Sequence, residues 1–177
     1  SRLRFKYADV WYTLLLVGCA AALASLFAAM LAIRLMWATT PPDFGATIPA
    51  GYSVLLIAAP LVSAVLAPLL WWRMIVRPGR LSVRRGIAVG ALAAIIAHPV
   101  IWYVALVLAF LAGQRTVAGM LVNKPLQDVI AAVFLGAVSL IYTGWLTALV
   151  GGAIGGMIAL LQSVSGCRER WRAALSR

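Results

Sequence analysis

The sequence predicts an all-α, polytopic integral membrane protein with four transmembrane helices, short loops and both termini in the cytoplasm. Four long apolar runs and a one-sided distribution of basic residues carry this prediction. The runs are Val10–Ala38, Gly51–Val76, Ile87–Ala112 and Val129–Val164. Each reaches or exceeds the roughly 20 apolar residues that a helix needs to cross a bilayer. Backbone groups in hydrocarbon must be paired within the chain, so each run is expected to be helical.

The composition agrees with a membrane-embedded chain. The chain is 64% hydrophobic and only 11% charged, whereas a soluble domain carries about 25% charged residues. The four runs use most of residues 1–177, so we expect a single transmembrane domain without a separate soluble one.

The basic residues set the predicted orientation. Twelve of the 15 lysines and arginines belong to the N-terminus, the second loop and the C-terminus, and three belong to the opposite side. The positive-inside rule then places both termini and the second loop in the cytoplasm, most simply of a bacterial-type inner membrane. This distribution favours anionic lipid head groups over nucleic acid as partners. The arginines expected at the head groups are Arg73, Arg77, Arg80, Arg84, Arg85, Arg168, Arg170 and Arg172.

Prolines and turn residues mark the limits of the predicted helices. Pro41 and Pro42 end the first span, because proline cannot continue the hydrogen-bond ladder. Pro60 and Pro68 in the second span and Pro99 in the third predict bent helices. The first loop has no lysine or arginine, which places it outside.

The second loop predicts a tight turn and a capped helix. Pro78-Gly79 supplies turn chemistry, and Ser82 is a candidate N-cap for the third span. Spans two and three are therefore expected to be antiparallel neighbours. We expect a short apolar turn within the third loop and no strand. Residues 168–177 predict a short basic amphipathic helix on the inner leaflet.

Small residues recur every four positions in two spans. Such rows let helix backbones approach closely in lipid, where the hydrophobic effect does not drive helices together. They could pack the helices of this chain on each other or bind another subunit. The residues predicted to pack helices are Gly86, Gly90, Ala94, Gly136, Gly144, Ala148, Gly152 and Gly156.

His98 is the only histidine, and it lies within the third span. An ionisable residue at this depth is a functional candidate. A neutral imidazole bonded to a neighbouring hydroxyl or to a freed carbonyl is the expected state. The alternative is a ligand to a chlorophyll-type pigment or a haem, although a bis-histidine haem would need a second histidine.

The charged residues of the spans leave few mechanisms open. All four acids lie at span ends or outside, which disfavours a proton- or sodium-coupled carrier.

Arg34 lies near the outer end of span one. Its side chain could extend to the head groups or pair with Asp43 or Asp128.

The sequence shows no catalytic set and predicts a protein that is not an enzyme. The leading hypothesis is an accessory or scaffold subunit of a larger membrane protein complex, with other membrane subunits and anionic lipids as partners. The alternatives are a small transporter, channel or lipid-handling component, and a pigment- or haem-contacting subunit of an electron-transfer or photosynthetic complex. No cofactor is predicted apart from this alternative at His98.

Overall fold

A computed structural model describes most of the chain and is helical in all four predicted spans. Its helices are α1 (Tyr7–Ala38), α2 (Ala50–Trp71), α3 (Val83–Leu111), α4 (Pro125–Ser139) and α5 (Trp145–Leu175). Two π-helical segments, π1 (Trp72–Val76) and π2 (Leu140–Gly144), continue α2 and join α4 to α5. By length and composition, four segments can cross a membrane: Val10–Leu31, Val54–Val76, Val83–Leu111 and Asp128–Val164. The backbone is described for residues 7–38, 50–113, 116–117, 120–121 and 125–175, and the side chains for residues 10–31, 34, 54–113 and 128–164.

The turn between α2 and α3 confirms the chemistry predicted from its sequence. Gly79 has a φ of 63°, and its N–H donates to the carbonyl of Val76 at 3.0 Å. Ser82 is extended, and its hydroxyl accepts a hydrogen bond from the N–H of Arg85 at 3.3 Å. This cap starts α3 at Val83, four residues before the predicted limit.

The last helix is longer than predicted. α4, π2 and α5 follow one another without a break to Leu175. The C-terminal basic segment is therefore the end of α5 and not a separate short helix. The backbones of Arg168, Arg170 and Arg172 belong to α5, but their side chains lie outside the described residues.

The third loop contains a short strand pair where no strand was expected. Thr116–Val117 (β1) pairs with Met120–Leu121 (β2) in antiparallel register. The first loop, with Asp43 and both prolines that follow α1, lies outside the described residues. Pro60, Pro68 and Pro99 lie inside continuous helices, and their bends remain a prediction.

The helices pack in chain order and close into a bundle at one end. α1 packs on α2, α2 on α3, and α3 on both α4 and α5, while α1 has a smaller contact with α5. The closing core contains side chains from α1, α2, π1, α3 and α5. Its buried residues are Val17, Trp71, Ile75, Val89, Ile158 and Ala159.

Two observations show that the bundle closes at the end that carries the arginines of the α2–α3 turn. The amide of Gln162 in α5 donates to the hydroxyl of Thr13 in α1 at 3.0 Å. Trp71, which is 1% exposed in the core, directly precedes π1 and Arg73. We call this the basic end; it carries Arg73, Arg77, Arg80, Arg84 and Arg85.

The opposite end of the bundle is more open. There α3 packs separately on α2, through Val54, Ala58 and Ala105, and on α4, through Leu106 and Ala132. Within the described part of the chain, α1 has no comparable packing against α4. The bundle therefore widens away from the basic end.

Candidate functional site: the His98 cluster and its surrounding surface

His98 is held by two hydroxyl groups from the helix that faces it. Its Nδ1 lies 2.8 Å from Oγ of Ser139, and its Nε2 lies 2.9 Å from Oγ1 of Thr147. Ser139 is the last residue of α4 and Thr147 belongs to the first turn of α5. The imidazole therefore joins α3 to both sides of π2.

The surrounding bonds assign the tautomer of the ring. The Thr147 hydroxyl donates to the carbonyl of Gly144 at 3.0 Å. A hydroxyl has one proton, so while Thr147 donates to Gly144 it accepts from His98, and in this arrangement Nε2 carries the ring proton. Nδ1 then accepts from the Ser139 hydroxyl. A neutral imidazole satisfies both ring nitrogens, in agreement with the expected hydroxyl partner.

The segment π2 brings the two hydroxyls to one face. Ser139 and Thr147 are eight residues apart in the chain. In a regular α-helix that spacing would leave about 80° between their directions around the axis. A π-helical turn contains one extra residue, so Ser139 and Thr147 are oriented as if about seven residues of regular α-helix separated them. Their directions around the axis then differ by only about 20°. The π segment therefore makes a two-sided contact with one ring possible.

A metal or pigment at His98 would compete with these hydroxyls. In the assigned tautomer the free electron pair is on Nδ1, which accepts from Ser139. A metal bound there would displace the Ser139 hydroxyl. Among the described residues, no group of three or more His, Cys, Asp or Glu could hold a metal ion.

The closest approach of two helices lies between α3 and α5. A Cβ placed on Gly86 or Gly90 would collide with the carbonyl oxygen of Gly155 or Gly151, respectively. A Cβ on Gly151 would lie 2.6 Å from the Gly90 oxygen and 3.0 Å from the Cβ of Ala94. Of the residues predicted to pack helices, Gly86, Gly90 and Ala94 thus meet α5. On the α5 side, Gly151 and Gly155 meet the backbone of these α3 glycines.

The other predicted packing residues lie in different surroundings. A Cβ on Gly136 would meet Pro99 of α3 at 2.7 Å, and one on Gly152 or Gly156 would meet the Ile87 side chain at 3.3 or 2.7 Å. Gly144 is buried, but the nearest atoms to a Cβ there belong to Leu140 of its own helix. Gly136, Gly152 and Gly156 of the predicted row thus meet α3, whereas Gly144 does not.

A shallow apolar groove runs beside the α3–α5 contact. It has a volume of about 460 Å³, and Ala91, Ala148 and Gly152 lie among its lining residues. Ile87, Trp145 and Leu149 border it with larger side chains. Ala148 therefore lines this surface groove.

An exposed aromatic pair lies at the level of the His98 cluster. Tyr142 is in π2, between the two hydroxyl partners of His98, and is 76% exposed. Trp145, one turn further, is 63% exposed. Tyr142 was not singled out from the sequence. The spacing of residues in the sequence could not show that the Tyr142 side chain points away from the bundle, because the π-helical segment π2 sets its orientation.

The charged residues divide between the basic end and the opposite end. Arg73, Arg77, Arg80 and Arg84 are exposed and Arg85 is half-buried. At the opposite end, Asp128 is buried and Arg34 is exposed. The two expectations for Arg34, extension to the head groups and pairing with an acid, both remain predictions.

No family model, curated protein or solved structure matches this chain. Function is therefore inferred from the His98 cluster, the exposed aromatic pair, the groove and the basic end.

Proposed function

We propose that this protein is a non-catalytic subunit of a larger membrane protein complex. The observation that carries the proposal is the exposed Tyr142 hydroxyl at mid-membrane level. His98 lies one residue past the midpoint of the apolar segment Val83–Leu111, and Ser139 and Thr147 flank Tyr142 on the facing helix. Tyr142 thus lies far from both head-group layers.

Lipid tails cannot satisfy the polar groups at this depth. Tyr142 has no hydrogen bond within the described part of the chain, and Trp145 presents a second donor one turn away. A hydroxyl without a partner in an apolar medium costs about 2–7 kcal/mol. Tyrosine and tryptophan facing lipid normally gather at the head-group level. A protein partner that offers a hydrogen-bond acceptor to Tyr142 accounts for both residues.

The test is extraction from native membranes in mild detergent, followed by measurement of mass and of partner stoichiometry. We expect a stoichiometric protein partner. Tyr142→Phe should lower its recovery several-fold, whereas Tyr12→Phe should not. Tyr12 is a matched control because it is equally exposed but lies near the basic end of α1. A chain that leaves native membranes without a stoichiometric partner contradicts the proposal.

A small transporter, channel or lipid-handling component is the second candidate. The wide end between α1 and α4 and the three prolines within α2 and α3 favour it. Robust solute flux through liposomes that contain only the purified protein would support this candidate over the subunit.

A pigment- or haem-contacting subunit is the third candidate and depends on His98. It requires the ring to exchange a hydroxyl for a metal. His98→Gln would then remove or shift a visible absorption band of the purified complex. If the spectrum is unchanged, or if the purified complex has no visible absorption band, His98 has a structural role and binds no pigment or haem.

We also propose that the basic end faces the cytoplasm of a bacterial-type inner membrane. Five arginines cluster there within residues 73–85, and the positive-inside rule assigns such loops to the cytoplasm. Anionic lipids are then the expected head-group partners, and no role in nucleic-acid binding is proposed.

A further inference from the structure

The apolar groove between α3 and α5 has the length of one membrane leaflet. Its α5 side runs from Ala153 to Trp145, which is about 12 Å at the rise of an α-helix. One leaflet of the hydrocarbon core is about 15 Å thick. Trp145 lies one turn from mid-membrane, and Ile87 lies near the start of α3. The groove therefore extends from the middle of the membrane toward the basic end only.

An arginine lies one turn before the groove, on the same face of α3. Arg84 precedes the lining residues Ile87 and Ala91 by three and seven positions. These spacings place all three on one face of α3. The Arg84 side chain is exposed, so its guanidinium can bind a phosphate where an acyl chain leaves the groove.

We propose that this groove binds one anionic phospholipid of the leaflet at the basic end. An acyl chain lies along Ala91, Ala148 and Gly152, and its end lies beneath Trp145. The phosphate pairs with Arg84. A transmembrane helix of a partner fits less well, because it would continue across both leaflets while the groove ends at Trp145. This inference does not depend on the proposed role as a subunit.

The test is native mass spectrometry of the purified chain in neutral detergent, titrated with phosphatidylglycerol or phosphatidylcholine of the same acyl chains. We expect phosphatidylglycerol to be retained about fivefold better, since one arginine near anionic lipid contributes about 1 kcal/mol. Arg84→Gln should remove this preference. Arg73→Gln is the matched control: Arg73 is also exposed at the basic end, but it lies in π1 and not on the face of α3 that carries Ile87 and Ala91.

A second variant tests the groove apart from the charge. Ala148→Leu adds side-chain volume to the groove and should lower retention of both lipids, with helicity and elution volume unchanged. Equal retention of the two lipids by the native chain overturns the proposal. So does equal loss of the preference in Arg84→Gln and Arg73→Gln. If Ala148→Leu retains lipid normally but no longer binds a protein partner, a partner and not a lipid occupies the groove.

Discussion

At the scale of single residues, the His98 cluster should stabilise the contact between α3 and the last helix. Ser139→Ala removes the hydroxyl that lies 2.8 Å from Nδ1 of His98 and leaves that ring nitrogen without this hydrogen bond. Hydrogen bonds between membrane helices average about 0.6 kcal/mol and reach about 1.7 kcal/mol. We expect Ser139→Ala to lower the free energy of unfolding by about 1 kcal/mol, measured by titration with a denaturing detergent.

Ser163→Ala provides the control for that measurement. The Ser163 hydroxyl is exposed and donates only to the carbonyl of Leu160 in its own helix, at 2.7 Å. Its removal should leave the unfolding free energy unchanged within error. An equal effect of the two substitutions would show that the link to His98 does not contribute to stability.

The sequence could predict the chemistry around His98 but not its partners. A lone imidazole in a span needs hydrogen bonds, so a hydroxyl partner was foreseeable. Ser139 and Thr147 lie 41 and 49 residues away in the chain. Their pairing with one ring depends on π2, and no residue type in Leu140–Gly144 specifies a π-helical turn.

At the scale of the helices, the α3–α5 contact should depend on glycine at particular positions. Gly90→Ala would place a Cβ against the carbonyl of Gly151, which cannot move aside without displacing the helix. Overpacking of this kind costs about 1–3 kcal/mol. Gly152→Ala would meet the Cγ2 of Ile87 at 3.3 Å, with the Ile87 oxygen at 3.5 Å and the Cβ of Ala91 at 3.8 Å, so no neighbouring atom has to move far. Thermal unfolding should show a clear loss of stability for Gly90→Ala and a smaller one for Gly152→Ala. Equal losses would contradict this packing.

A deletion within π2 should be tolerated better than one in the adjoining α-helix. Removal of Ile141 turns the π segment into regular helix and keeps Ser139 and Thr147 about 20° from alignment. Removal of Val150, also exposed, would rotate Gly151 and Gly155 about 100° relative to π2. We expect folded, monodisperse protein from the first deletion and not from the second. The reverse result would show that π2 does not absorb an extra residue.

The packing of these helices was partly readable from their small residues. The rows at Gly86 and Gly90 correctly indicated a close contact. Gly151 and Gly155 meet the backbone of α3, whereas Gly152 and Gly156 meet the Ile87 side chain. Spacing could not assign these two environments, since both pairs repeat every four residues. The rotation of α5 about its axis assigns them, and π2 contributes to that rotation.

At the scale of the whole molecule, hydropathy was sufficient to locate four helices long enough to span a membrane. Their arrangement was not predictable in the same way. The bundle closes at the basic end around Trp71 and through Gln162 and Thr13, and it widens at the other end. These contacts join residues that are far apart in the chain, so local sequence patterns do not reveal them. Apolar residues that face lipid and apolar residues that face protein are also similar in composition, so hydropathy does not tell the two surfaces apart.

The orientation of this bundle gives the last prediction. Pro78, in the turn between α2 and α3, and Ala112, at the end of α3, are both exposed and lie at opposite ends of one helix. Single cysteines at these positions, with Cys19 and Cys167 replaced by alanine, can be labelled by a membrane-impermeant maleimide. Because the arginines cluster beside Pro78, positive-inside insertion should expose Ala112→Cys in intact cells and Pro78→Cys only after permeabilisation. The opposite labelling pattern would place the basic end outside and remove the basis for a cytoplasmic assignment of both termini.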